Sequence, residues 1–259
     1  MNRGNALWES VYDDLRRRIQ MGVDAPGTEG ALSPGTSVPT EAELCEEHDV
    51  SRPVVRQALG RLQQDGLITR GQGRRGRKVR DPRPIAWKLH EFERGSRRDT
   101  RATDDWAAGI TAQGRTPRQE VVASVEAAST EIADALEIAP GSMVVHRSRV
   151  RYVDAVPYQL SHSYFPEELA RDTLLMEQHD VSVPGGILRS IGHPQISVHD
   201  TIRIRMPSPS EASDLGIVTG VPVGEHHRTG YGEDGSPVRH MVTIFPGDRH
   251  FLVYDLDVT

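Results

Sequence analysis

The 259 residues hold a single cysteine, Cys45, which excludes an intrachain disulfide and agrees with a reducing cytoplasm. Nowhere does an apolar run approach the roughly 20 residues that a membrane helix requires. The opening MNRGNALWES also lacks the apolar stretch of a secretory signal. A cytoplasmic location with no membrane partner is therefore expected. Internal repeats and low-complexity tracts are missing. So are an HExxH spacing, a nucleophile elbow and a paired-acid motif, which leaves catalysis without support and gives no cofactor to expect.

Nor is there an overall excess of positive charge, since the formal net charge is -6. That average hides a segregation. Between Arg52 and Arg83 ten Lys or Arg stand against only Asp65 and Asp81, so this segment carries +8 and the remainder -14. A positive field of that density attracts polyanions, while the acidic remainder disfavours adhesion elsewhere. Nucleic acid is the first partner it fits. The length exceeds the usual size of one domain, and two are expected.

Trp8, Val11, Tyr12, Leu15 and Ile19 recur at three- and four-residue steps and predict an amphipathic first helix that ends before Gly22. The Gly- and Pro-rich tract 22–39 reads as a loop. Thr40 and Glu43 form a capping box for a short second helix reaching about His48. Ser51 caps a third helix, with Pro53 in its first turn and Gly66 beyond its end. Residues 67–70 and 78–80 read as two short strands joined by GQGRRGR. These elements make up a first domain, 1–82. The mixed run that follows reads as a flexible connector, 83–104, leading to a second domain, 105–259. From Val121 the texture is of strands, at 121–125, 143–153, 158–165, 196–206, 225–232, 238–245 and 251–257, with one helix at 130–138. Short turns join neighbours, Asp234-Gly235 among them, so the sheet should be mostly antiparallel and the fold class α+β.

At about 100° per residue, Val55, Ala58, Leu59 and Leu62 fall within one arc of the third helix, and Arg52 and Arg56 lie just beyond its edge. The apolar arc docks on the first two helices. The arginines are left at the end that a helix in a DNA major groove presents to base edges, where a planar guanidinium can donate twice to guanine. Gly71 and Gly73 let the hairpin tip approach a backbone, and Arg74, Arg75, Arg77 and Lys78 can meet phosphates. Either helix arginine alone reads equally well as an ordinary surface charge. The order of elements is what makes the pattern specific. WESVYDDLRRRIQ, PTEAEL, VSRPVVRQAL and LQQDGLITRGQGRRGRKV together resemble the winged helix-turn-helix of the GntR family of bacterial transcription regulators. That resemblance implies a homodimer reading a palindromic operator in double-stranded DNA. It places base or phosphate contacts on Thr40, Ser51, Arg52 and Arg56 and on a wing running from Arg70 to Gly76. The wing is richer in arginine than the common glycine-threonine form.

In the second domain, alternation along 143–153 sets Arg147, Arg149 and Arg151 on one face of a strand. Like charges at that spacing need something negative among them, either carboxylates from a neighbouring strand or an anionic ligand. The next strand offers the hydroxyls of Ser161, Ser163 and Tyr164. RVRYVDAVPYQLSHSYFP, GILRSIGHP and EDGSPVRHMVTIFPGDRHFLVYDL are similar to the UTRA effector domain of the HutC-type branch of the same family, which has a chorismate lyase-like fold. The resemblance implies that Arg149 and Arg151 hold an anionic effector and that Phe245 borders it. It also puts Arg239 where many relatives carry an acid, which points away from an amino sugar.

Nine of the eleven histidines lie from His146 onward, but they are scattered over different strands, and adjacent ones such as His226 and His227 point to opposite faces. No metal site is expected. The function these features predict is a ligand-responsive repressor that binds its operator as a dimer and is released by a small anionic metabolite. Two other classes make distinct predictions: a lyase-like enzyme with a DNA-binding appendage would turn over its ligand, and an architectural DNA binder would respond to none.

Overall fold

The structure, a computed structural model, describes residues 3–69, 76–80, 83–90, 105–217 and 220–255. It divides into two compact units, one of residues 1–84 with 216–220, the other of 85–215 with 221–259. Among the described residues no helix is long and apolar enough to cross a membrane.

The first unit contains α1 (Arg3–Asp24), α2 (Glu41–His48) and α3 (Arg52–Gln64). Val11, Leu15 and Ile19 of α1 and Leu44 of α2 bury against Val55, Ala58, Leu59 and Leu62 of α3 in one core. The hydroxyl of Tyr12 pins α1 to the end of α3 by donating to Asp65 Oδ2 at 2.6 Å. The capping box of α2 is present, with Glu43 N–H donating to Thr40 Oγ1 and Thr40 N–H to Glu43 Oε2. Ser51 is the N-cap of α3 by backbone conformation, but its side chain makes no capping hydrogen bond. The N–H groups of Val54 and Val55 donate to its carbonyl oxygen instead, and Pro53 has no N–H to offer. Gly66 ends the segment at φ 71°.

Helix α1 does not stop before Gly22. It continues to Asp24, because the following loop folds back until Leu32 N–H donates to Arg18 O. Gly22 serves this close approach rather than a helix end, since a Cβ there would lie 2.4 Å from Leu32 O. Arg18 ties the loop down further, with Nε donating to Gly30 O and Nη1 to Glu47. Gly22→Ala should therefore destabilise this unit by about 1–3 kcal/mol, because the obstacle is backbone. Urea unfolding followed by the fluorescence of Trp8 would measure it, and an unchanged midpoint would contradict the packing.

The two short strands expected after α3 reduce to single bridges, Ile68 with Val79 and Ser37 with Lys78. Thr69 N–H donates to Lys78 O and Arg80 N–H to Leu67 O, while Val79 N–H reaches Thr36 O on the other side. The base of the wing is thus three short segments, one of them from the loop before α2.

The second unit is built on a six-stranded sheet in the order β2-β3-β4-β7-β6-β5. Its strands are β2 (Pro117–Ala127), β3 (Met143–Val153), β4 (Val156–Pro166), β5 (Ser197–Arg205), β6 (Val223–Tyr231) and β7 (Pro237–Pro246), and every pairing is antiparallel. A separate pair, β1 (Ile85–Lys88) and β8 (His250–Val253), is parallel. An irregular connector was expected from residue 83, yet residues 85–88 form a strand, because Ile85 and Trp87 bury in the second unit's clusters. Helix α4 (Asp105–Ala112) adds Trp106 and Ile110 to one of them. Helix α5 (Thr130–Leu136) starts where Ser129 accepts from Ile132 N–H and ends at Glu137, at φ 55°. Helices α6 (Glu167–Ala170), α7 (Ile187–Ser190) and α8 (Pro209–Asp214) are short.

Candidate functional site

In the first unit the apolar arc of α3 is fully buried and Arg52 and Arg56 are exposed beside it. Arg56 donates through Nε to Glu41 Oε2 at 2.9 Å, with its side chain still 64% exposed. Arg77, at the base of the wing, approaches the other oxygen of Glu41 at 3.5 Å. Hydrogen bonding from Arg56 is the main reason Glu41 stays below the ordinary carboxylate range. One carboxylate thus steadies a cation from the helix and a cation from the wing, and it takes only the Nε of Arg56. Bidentate base reading uses two donors of one such fork. No ion pair or hydrogen bond holds Arg52 among the described residues. Thr40 is exposed with its hydroxyl engaged in the capping box, Ser51 is exposed with a hydroxyl that no cap uses, and Lys78 is exposed. Arg70, Gly71, Gly73, Arg74 and Arg75 lie outside the described residues.

In the second unit, register assigns the faces, because residues directly opposite in an antiparallel pair point the same way. Arg147 pairs with Ser163, Arg149 with Ser161 and Arg151 with Gln159. Ser161 pairs in turn with Thr243 and Thr243 with His226, while Phe245 faces Gly224 and Arg239 faces Gly230. One face therefore holds Arg149, Arg151, Ser161, Ser163, Arg239 and Phe245. Tyr164 is on the other face, which corrects its place among the candidate residues. It pairs with His146 and His240 and stacks on the His146 ring at 4.5 Å, since the step from Ser163 to Tyr164 turns the side chain across the sheet.

The shared face is covered at both ends. At one, Trp87 and Leu252 of the small parallel sheet, with Leu89 just beyond β1, meet Phe245 and Ile202. At the other, Leu175, Ile187 and Leu188 pack on Val145 and Phe165. Between these covers runs a row of polar residues, Arg149, Ser161, Thr243 and His226. Ser161, Thr243 and His226 have no exposed surface, and Thr243 donates to Ser161 at 3.1 Å. Arg149 approaches Ser163 at 3.4 Å, and Arg151 meets the amide oxygens of Gln119 and Gln159 beneath the Trp106 ring. Asp200 receives both arms of Arg228, His226 and the Tyr254 hydroxyl. Burial pushes its carboxyl up, but the bonds from Arg228 and His226 outweigh that and hold it well below its ordinary value.

Residues 7–77 match the family model "Bacterial regulatory proteins, gntR family", and residues 112–250 match the UTRA domain. The chain belongs to the GntR family. It is 30% identical over 253 residues to the HTH-type transcriptional repressor NagR of Bacillus subtilis (strain 168), covering 97% of this chain and 95% of that protein. It is 29% identical over 244 residues to the histidine utilization repressor of Pseudomonas putida, covering 93% and 90%. Among solved structures, a putative GntR-family regulator aligns at TM-score 0.57 and 28% identity over 98% of each chain. PhnF of Mycobacterium smegmatis aligns at 0.58 and 24%, over 96% of this chain and 100% of that one, and supports the fold. NagR and the histidine utilization repressor are named repressors, not enzymes, which sets the lyase-like alternative aside.

Several residues of this GntR chain escaped sequence reasoning. Glu41 sits in the PTEAEL box and reads there only as a favourable first-turn acid. Thr243 and His226 join the polar row of the UTRA face, and neither strand marks them in sequence, since β6 is polar on both faces at 225–229 and β7 alternates Arg239 and Thr243 with Met241 and Phe245 on this face. Among the described residues, Asp14, Glu47 and His48 bring ligand atoms within 4.8 Å of one another. Arg18 already pairs with Glu47 there.

Proposed function

We propose that the chain is a dimeric repressor that grips a palindromic operator through α3 and the wing and is released when a small anion occupies the UTRA sheet face. The observation that carries the ligand half is the charge of that face. Its strand positions hold Arg147, Arg149, Arg151, Arg228 and Arg239 and one carboxylate, Asp200. A sheet face so cationic favours a ligand rich in acceptor oxygens, phosphate or carboxylate, over a neutral one. Arg239 extends the cationic face to its far end and favours a more acidic ligand than an amino sugar. Repression is carried over from relatives named repressors, whereas their ligands are not. On DNA, two recognition helices would enter successive major grooves about 34 Å apart. The anion would shift the dimer away from that spacing by as much as its affinity differs between the two states.

A thermal-shift screen of anionic metabolites, with hits retested for release of a selected palindromic duplex, tests the reading. A ligand at 100 times its dissociation constant should add about 2.7 kcal/mol of stability. Arg149→Ala/Arg151→Ala should abolish both the shift and the release. Absence of any anion response, or a response intact in the double variant, would sink it.

A further inference from the structure

Arg147 shares a strand face with Arg149 and Arg151 but is used differently. Its side chain is wholly buried in the middle of β3. Its guanidinium donates to main-chain carbonyls of one short segment: Nη1 to Leu175 and Glu177, the latter at 2.8 Å, and Nη2 to His179 at 3.1 Å. Three carbonyls spaced along five residues and converging on one fork describe a clasp. A second fastening lies beside it. Gln178 closes on the backbone of Ala123 in edge strand β2, accepting from its N–H at 3.0 Å and donating to its carbonyl at 2.7 Å. Ala123 is the register partner of Arg147. The side chain of Leu175, whose carbonyl Arg147 takes, packs on Val145 and Phe165, one register step along the sheet from the pair Arg147 and Ser163.

We infer that residues 174–179 are a strap closing one side of the effector face, and that Arg147 is its positioning residue rather than a ligand-holding cation. The inference rests on the anion site proposed above. The strap comes round the β2 edge, which Gln178 seals, and is drawn onto the face by Arg147, two residues from Arg149. An anion on Arg149 and Ser161 then has the strap as its wall, so occupancy and strap closure favour each other. Removing Arg147 frees the strap and leaves its carbonyls without donors, whereas removing Arg149 takes away a cation and leaves the strap seated.

Amide hydrogen exchange on the full chain separates these roles. In Arg147→Met the amides of 174–179 should exchange about tenfold faster or more, with the central amides of β4 and β7 unchanged. Arg147→Lys should restore part of the protection, and Arg149→Met should leave the strap at the wild-type rate. Gln178→Ala, a surface change that spares the core, should loosen the same segment and keeps the test decisive if Arg147→Met does not fold. Unchanged strap exchange in Gln178→Ala and Arg147→Met, or acceleration spread evenly over the sheet, would overturn the clasp. Inorganic phosphate is the probe for coupling. It should slow strap exchange in the wild type and not in Arg149→Met. If phosphate stabilises the wild type without slowing the strap, the coupling fails. If it does not stabilise the wild type at all, the anion site itself falls, and the exchange rates without phosphate still decide whether Arg147 is the clasp.

Discussion

Replacing Arg52 and Arg56 together by alanine should weaken operator binding by roughly two to four orders of magnitude, since each bidentate base contact discriminates by about 1–3 kcal/mol. Stability should hardly move. Both side chains are exposed at the rim of α3, and the surface pair between Arg56 and Glu41 contributes at most about 1 kcal/mol. That combination distinguishes reading from folding. It also distinguishes reading from simple attraction, because loss of phosphate contacts alone would weaken all sequences alike and lower the salt slope by about one per contact. The measurement is fluorescence anisotropy at fixed salt on a duplex selected with the wild-type chain and on a scrambled duplex. A selective loss on the first supports base reading by α3. Equal loss on both would leave the arginines as general phosphate contacts, and equal affinity to the parent would remove α3 from the interface.

The helices were legible because their signals are local. The apolar arc of α3 and the capping box at Thr40 name their own geometry, and the alternation from 143 to 153 gives β3 at its observed bounds. What escaped depended on partners distant in sequence. Gly22 looks like a helix stop until Leu32 is brought against it. Ser51 looks like a side-chain cap until its own carbonyl takes the Val54 N–H that its hydroxyl would have served. Residues 85–88 look like linker because the partner that makes them a strand, 250–253, lies at the far end of the chain. In the effector face, period-2 alternation put Arg147, Arg149 and Arg151 together correctly. It could not say that a segment near residue 175 would occupy the first of them, although the same alternation already sets Tyr164 opposite to Ser161 and Ser163.

Acid should destabilise the strand-rich unit first through histidines that the fold keeps neutral. Burial, with His227 beside it, pushes His240 down to about 4. Burial also pushes His250 down to about 3, with a smaller opposing effect from its bond to Pro246 O and a further lowering from Arg249. Both are bases with depressed folded values, so their stabilisation is complete above the unfolded value near 6.5 and is lost as pH falls toward 4 and then 3. At about 1.4 kcal/mol per unit, His240 alone forfeits on the order of 3 kcal/mol, a large share of the roughly 5–15 kcal/mol that holds a domain together. Acids behave otherwise. Glu211, drawn down to about 2 chiefly by Arg205, and Asp200, drawn lower still, lose their stabilisation only as pH falls below their unfolded values of 4.5 and 3.8. The first loss, between pH 6.5 and 4.5, is therefore assigned to imidazoles. Urea midpoints at pH 7.5, 6, 5 and 4 should decline steadily in the wild type and more shallowly in His240→Gln, which keeps an acceptor for the Thr229 hydroxyl 2.9 Å from the ring but has no proton to take up. Parallel curves for the two proteins would show that His240 is as readily protonated folded as unfolded, and the acid sensitivity would then have to come from elsewhere in the sheet.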